Sequence, residues 1–270
     1  MSERKANARP ADSTSAVAAR LDAVEELPAI IELRRYSYDL LCLNPADEVV
    51  DVGAGTGRAV AELSAYGFQA IGIDPDEEML AVARARYPDA DLRIGTAERL
   101  PIGTATMAGY RADKVLHQLA EPIVAAREAR RVLRSGGRAV LLGQDWDAIV
   151  IDSSDGALTR RIVQARADTI PRPRVARGYR SLLLDAGFQE VSLAARTVVF
   201  TQALLLDMLT GLARAARNTG AITDEQSTAW LTDQRDRAMA DRLIVALPFF
   251  VAAGTVPPDT RAGRRQATAS

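Results

Sequence analysis

One cysteine and one histidine in 270 residues set the first limits on this chain. Cys42 alone cannot form an intramolecular disulfide, and His117 alone leaves a zinc centre or histidine-rich metal site short of ligands. A carboxylate-held magnesium ion stays open, but no metal is expected. Aromatic residues are scarce at 5%, and long apolar runs are missing. The longest, residues 243–254, is too short to cross a bilayer and contains Pro248. The N-terminal stretch has no hydrophobic signal region. Net charge is −1 with both signs interspersed, and the absence of a basic stripe argues against a surface that tracks nucleic-acid phosphates. These absences lead to the expectation of a cytoplasmic protein, monomer or homodimer, with neither membrane nor nucleic acid as partner.

What the chain does have is apolar bulk. Hydrophobic residues make up 48% of it, enough to bury a full α/β core in one domain. Residues 49–57, VVDVGAGTG, join a β-branched run to glycines at alternate positions, Gly53, Gly55 and Gly57, and a helical pattern follows at once. Such a strand, turn and helix start bring backbone N–H groups close to a ligand where a β-carbon would interfere. A dinucleotide fingerprint, G-x-G-x-x-G, would need glycine at 58, where Arg58 stands. Residues 70–74, AIGID, form a second buried-strand pattern ending in an acid, with Asp74 a candidate N-cap and Pro75 in the first turn of the next helix.

G-x-G-x-G preceded by an acid, here Asp51, resembles motif I of the class I S-adenosylmethionine-dependent methyltransferases. Three more segments follow that family's order: GTAERLPI at 95–102, VLHQL at 115–119 and RVLRSGGRAVLL at 131–142. The resemblance covers residues 47 to 144 and is nearest in pattern to the ubiquinone and menaquinone biosynthesis type. It implies an α/β, Rossmann-like fold: a seven-stranded, mostly parallel sheet with helices on both faces. It also implies S-adenosylmethionine as cofactor, with S-adenosylhomocysteine as product. Asp51 would meet the methionine ammonium, Asp74 the ribose hydroxyls, and the 95–102 loop the adenine. The implied cofactor set is Asp51, Gly53, Ala54, Gly55, Gly57, Asp74, Pro75, Met79, Thr96, Ala97, Glu98 and Asp113. Thr96 stands where relatives commonly carry an acid, which weakens the adenine contact or shifts it to backbone near Ala97 and Glu98. Ala108 and Ser135 also depart from the common pattern.

Outside that core, residues 1–15 and 258–270 read as disordered tails. Spacing at 16–43 predicts two helices broken near Pro28, a lid in related methyltransferases. Its Arg34, Arg35, Tyr36 and Tyr38 are the residues placed to meet a ligand, unless they line a solvated helix edge. Helices are expected at 157–170, 175–186, 202–218 and 224–244, the last opening on a Thr223/Gln226 capping box. Strands are expected at 190–200 and from Pro248 or Phe249 onward. The segments 145–186 and 201–245 would cap the substrate, within a single domain over 16–257, or else form a dimer surface.

Methyl transfer is an in-line displacement that needs an aligned nucleophile and, where that nucleophile is protonated, a base. Asp113 at the end of the fourth strand could orient His117 four residues on as that base, with activity rising between about pH 5.5 and 7.5. Alternatively His117 is a packing residue, and Asp113 pairs with Arg111 or Lys114. Beyond the fifth strand Gln144, Asp145 and Trp146 should face the substrate, Trp146 as a stacking wall or as filler between sheet and helices. The expected reaction is methylation of a small organic acceptor, at oxygen before carbon. A fold that binds the cofactor structurally and runs a pericyclic or decarboxylation step, or regulates, is the alternative.

Overall fold

Residues 14–258 are described by a computed structural model. The expected tails lie outside the described residues except at their inner ends. Five strands form the parallel part of the sheet: β1 (Glu48–Val52), β2 (Gln69–Asp74), β3 (Asp91–Ile94), β4 (Met107–Asp113) and β5 (Leu133–Gln144). Their spatial order is β3-β2-β1-β4-β5. The order reverses between β1 and β4, and that switch point opens the crevice where doubly wound folds hold ligands.

Alternation along β1 sorts side chains to two faces. Val49 belongs to the apolar cluster on one side, Val50 and Val52 to the cluster on the other. On the first side stand α2 (Pro28–Asp39), α3 (Arg58–Ala65) and α4 (Glu77–Arg86), joined by α6 (Gly156–Ala167) and α8 (Leu206–Asn218). On the second stand α5 (Pro122–Val132) and α7 (Tyr179–Asp185). The remaining long helices are α1 (Thr14–Glu25) and α9 (Asp224–Met239). α1 and α2 break at Pro28 as the spacing predicts, since proline fits a first helical turn.

The antiparallel half adds β7 (Gln189–Phe200) and β8 (Val245–Thr255), with β8 between β5 and β7. A two-residue β6 (Val150–Ile151) pairs with the start of β8, adding an eighth, minimal strand to the seven expected. β8 begins three residues before Pro248. The proline is tolerated because its carbonyl, accepting from Asp145 N–H at 2.9 Å, faces the gap where β5 has ended. Its missing N–H therefore costs no ladder bond. The Thr223/Gln226 capping box forms in both directions. α9 stops at Met239, five residues early, on a Schellman turn: Asp241 is left-handed at φ 55°, and Arg242 N donates to Arg237 O at 2.7 Å.

Candidate functional site

The glycine loop follows β1. Gly53, Gly55 and Gly57 all have positive φ, at 74°, 52° and 81°. Gly53 and Ala54 donate to Ile73 O, which ties the loop to the end of β2. Gly57 caps α3 without any side-chain bond, so first-turn amides of α3 face the crevice without a capping partner. A β-carbon on Gly53 would sit 2.3 Å from Val115 Cγ2, which places the segment after β4 directly over the loop.

Asp74 closes the loop from β2. Its Oδ2 accepts from Gly55 N at 2.8 Å and its Oδ1 from Asp76 N at 2.9 Å. Each carboxylate oxygen can accept twice, so the buried carboxylate keeps acceptor capacity for two hydroxyls. Asp74 is not the N-cap of α4. That place belongs to Asp76, whose Oδ1 accepts from Glu78 N and Met79 N, and Pro75 lies before the helix rather than in its first turn. Met79 is buried beneath the loop, its Cε 4.0 Å from where a β-carbon of Gly55 would be. Thr96 is exposed at the head of a turn closed by Arg99 N, with Ala97 buried and Glu98 half-buried beyond it.

Asp51 is paired rather than free. Arg111, from β4, donates Nη1 to Asp51 Oδ1 at 2.6 Å and Nη2 to Asp113 Oδ2 at 2.8 Å. Its Nε reaches Ser37 Oγ at 2.8 Å, and its guanidinium stands 5.2 Å over the Tyr38 ring. Burial alone would depress the guanidinium, but Asp51 and Asp113 outweigh it and hold Arg111 cationic. Arg111 lies under α2 and carries the contact between sheet and N-terminal helices.

Those helices are bonded down at several other points. Arg34 binds Glu62 through two nitrogens and Glu25 through a third, and Tyr38 OH donates to the same Glu62. Lys114 Nζ bridges Glu25 and Asp113 at 2.8 and 3.2 Å. Asp22 pairs with Arg86, and Thr56 Oγ1 donates to it at 3.4 Å, so α1 crosses the glycine loop. Tyr38 is thus committed to an anchoring contact. Tyr36 turns the other way, under Arg196 of β7 at 4.6 Å, and Arg35 is exposed, lining with both of them a groove between α2 and β7.

The strand ends beyond β4 and β5 hold the chemistry-bearing side chains. Lys114 adopts left-handed backbone at φ 59°, a strained turn for a lysine, and directs the chain into the one-turn helix Leu116–Gln118 that carries His117. Because that turn is 3₁₀ rather than α, the four-residue spacing does not stack Asp113 on His117. The carboxylate–imidazole pair is not formed. Asp113 Oδ2 is used by Arg111 and Lys114, while Asp113 Oδ1 and His117 Nδ1 are both buried with no hydrogen-bond partner. Burial works to raise the Asp113 carboxyl, but Lys114 and Arg111 hold it below the ordinary range. For His117, burial first and then the charges of Arg166 and Lys114 push the imidazole down to about 4, so it is neutral at pH 7. That removes the expected ionisation between pH 5.5 and 7.5.

At the end of β5 and just beyond it, Gln144 and Trp146 each leave a buried atom unpartnered, Oε1 and Nε1. The indole lies 5.8 Å from the His117 ring and 5.1 Å from the Arg166 guanidinium. Asp145 does not join them: it is fully buried and clamped by Arg177, which also reaches Asp147. The 171–174 segment fixes this region, with Arg172 N donating to His117 O and Trp146 N donating to Pro173 O. Of the expected substrate residues, the structure brings His117 and Trp146 together, with Gln144 at the end of β5 two positions before the indole. Arg111, Lys114 and Arg166 had no motif to announce their parts here; the only sequence signal was that Arg111 and Lys114 flank Asp113.

This geometry has parallels. A family described as "Methyltransferase domain" matches residues 50–141. The chain belongs to the methyltransferase family. It is 32% identical over 257 residues to an uncharacterized 37.1 kDa protein in transposon TN4556 of Streptomyces fradiae, covering 90% of this chain and 73% of that one. It is 33% identical over 144 residues to the ubiquinone/menaquinone biosynthesis C-methyltransferase of Rubrivivax gelatinosus, covering 52% and 57%. The methyltransferase-family chain spans about half the length of the curated methyltransferases it matches. In structure it resembles the YcgJ protein of Bacillus subtilis, with a TM-score of 0.58, 16% identity and coverage of 84% and 98%. The [4+2]-cyclase SpnF shares the fold at TM-score 0.53 and 19% identity, covering 84% of this chain and 81% of that one. Among the described residues no helix is long and apolar enough to cross a membrane.

Proposed function

We propose that this chain transfers a methyl group from S-adenosylmethionine to a small organic acceptor, at an oxygen atom. The observation that carries this reading is the set of buried, unpartnered polar atoms at the ends of β4 and β5: Asp113 Oδ1, His117 Nδ1, Gln144 Oε1 and Trp146 Nε1. An unpaired buried polar atom costs about 1 to 3 kcal/mol, and a bound acceptor with its own donors and acceptors removes that cost. Val115 ties the cluster to the glycine loop, so acceptor and cofactor would meet there.

The cofactor, when bound, supplies an activated methyl group with a neutral leaving group. Asp74 and the amides around Gly55 and Gly57 would hold it, with Thr96, Ala97 and Glu98 on its adenine side. Asp51 acts at one remove, since Arg111 already neutralises it. For the acceptor, neutral His117 can take a hydroxyl proton at Nδ1 in the tautomer that leaves that atom bare, and Gln144 Oε1 can orient the same hydroxyl. Asp113, held ionised by its two cations, provides a fixed negative potential for the imidazolium that forms. The contacts of α1 and α2 with Glu62, Arg86 and Lys114 would cover the crevice on its glycine-loop side.

Incubation with S-adenosylmethionine labelled in the methyl carbon, against phenols, quinols and polyketides, tests the reading. Label in the acceptor, one S-adenosylhomocysteine per turnover, supports it. An acceptor converted without label points to the alternative chemistry, a pericyclic or decarboxylation step on a structurally bound cofactor.

A further inference from the structure

Three arginines that pack against the helices are matched by acids: Arg34 by Glu25 and Glu62, Arg111 by Asp51 and Asp113, Arg237 by Asp152 and Asp233. Arg166, half-buried in the last turn of α6, is not. Its polar partner is the neutral Thr169 hydroxyl, 2.7 Å from Nη1, and its guanidinium rests over the Trp146 ring. No carboxylate among the described residues bonds to it. Burial first, and then the charge of another cation, Arg214 of α8, make the guanidinium easier to deprotonate than an ordinary arginine. Trp146 and His117 beside it hold unpartnered buried atoms, and the indole nitrogen can only donate. Donors and positive charge therefore gather at one end of the crevice, while Gln144 Oε1 and Asp113 Oδ1 offer acceptors at the strand ends.

We infer that Arg166, with Trp146 Nε1, forms an oxyanion subsite for the methyl acceptor, which carries a carboxylate or phosphate beside its nucleophilic hydroxyl. The planar guanidinium can bind either group through two parallel hydrogen bonds, and the adjoining aromatic ring suits a flat scaffold. This deepens the function proposed above by naming a substrate class. It rests on that reading only for the word acceptor, because the subsite itself is a property of α6 and the β5 end.

The lone histidine makes the subsite observable without turnover. In the unliganded chain Arg166 on α6 and Lys114 after β4 depress His117, Asp113 opposes them, and burial adds to the depression. Burial is the largest of these causes and Arg166 the next, so neutralising Arg166 should raise the His117 midpoint. The experiment follows the single His117 signal by NMR across a pH titration with 2-hydroxybenzoate, its neutral amide 2-hydroxybenzamide, or phenyl phosphate, with and without S-adenosylhomocysteine. We expect at least one anion to raise the midpoint and to bind about tenfold or more tightly than the amide. Arg166→Gln should itself raise the midpoint and abolish the anion's effect. Arg166→Lys should keep the low midpoint and weaken the anion about tenfold, because charge survives and the planar fork does not. The two anions distinguish carboxylate from phosphate. If neither moves His117, or if the response survives in Arg166→Gln, the inference is overturned. A chain that responds to the anion but fails to bind S-adenosylhomocysteine keeps the subsite and loses the methyltransferase reading.

Discussion

Arg111 Nη1 and Asp51 Oδ1 meet at 2.6 Å across adjacent parallel strands, with 2% and 3% of their side chains exposed. A pair so far from water is weak evidence of net stabilisation, yet breaking it is costly, because the partner is left as an uncompensated buried charge. Here removal of the arginine strands Asp51 and leaves Asp113 with Lys114 alone. Arg111→Met should lower unfolding free energy by about 3 to 5 kcal/mol in a urea titration. A loss below about 1 kcal/mol would show that the carboxylates find other partners or take up protons at little cost.

Gly55 tests the loop. Its φ of 52° is a conformation that a β-branched side chain resists, while the nearest atoms to an added β-carbon are 4.0 Å away. The penalty of Gly55→Val is then backbone strain of about 1 to 2 kcal/mol rather than a clash. The variant should stay folded by circular dichroism and thermal melting and lose S-adenosylhomocysteine binding, since the loop reshapes where the ligand approaches. Binding retained by the folded variant would reduce the loop to a turn.

Much of this was legible because it is local. The glycine spacing, the acids at or next to the ends of β1 and β2, the break at Pro28 and the Thr223 box each depend on neighbours within a few residues. What escaped depends on distance or on near-ties. Arg111 and Asp51 are sixty positions apart. Asp74 and Asp76 flank one proline, and only the backbone path decides which caps α4. The end of α9 carries Asp241 where a glycine would have announced the turn. At the site, the pattern D-x-x-x-H implied a helical i,i+4 pair. Left-handed Lys114 and the 3₁₀ turn after it broke that spacing, and nothing in the sequence marks them.

His117 gives a pH signature in stability. Its folded value of about 4 lies below the ordinary value of about 6.5, so the unfolded chain binds more protons between those limits. Stability should therefore fall as pH drops from about 6.5 to 4, by on the order of 2 to 3 kcal/mol, and His117→Gln should flatten that part of the curve. Denaturant midpoints at half-unit pH steps check this. An unchanged slope in the variant would place the imidazole in solvent.

As the proposed base, the same residue would also set the rate profile. A base already neutral above pH about 4 leaves methylation flat between pH 5.5 and 7.5, apart from ionisation of the acceptor. His117→Gln should lower the rate by about a hundredfold with cofactor affinity nearly intact. A wild-type rate in the variant would leave proximity and orientation as the whole mechanism.

Cofactor binding is the claim on which the rest depends, and calorimetric titration of S-adenosylhomocysteine into wild type and Asp74→Ala tests it most directly. Asp74 holds Gly55 N and Asp76 N and keeps acceptor capacity for two hydroxyls, which the proposed cofactor's ribose would fill. Wild type should bind one equivalent, and the variant should bind about tenfold to a hundredfold more weakly, the worth of a charge-assisted hydrogen bond. No heat of binding in wild type, or equal affinities in the two proteins, would contradict the account.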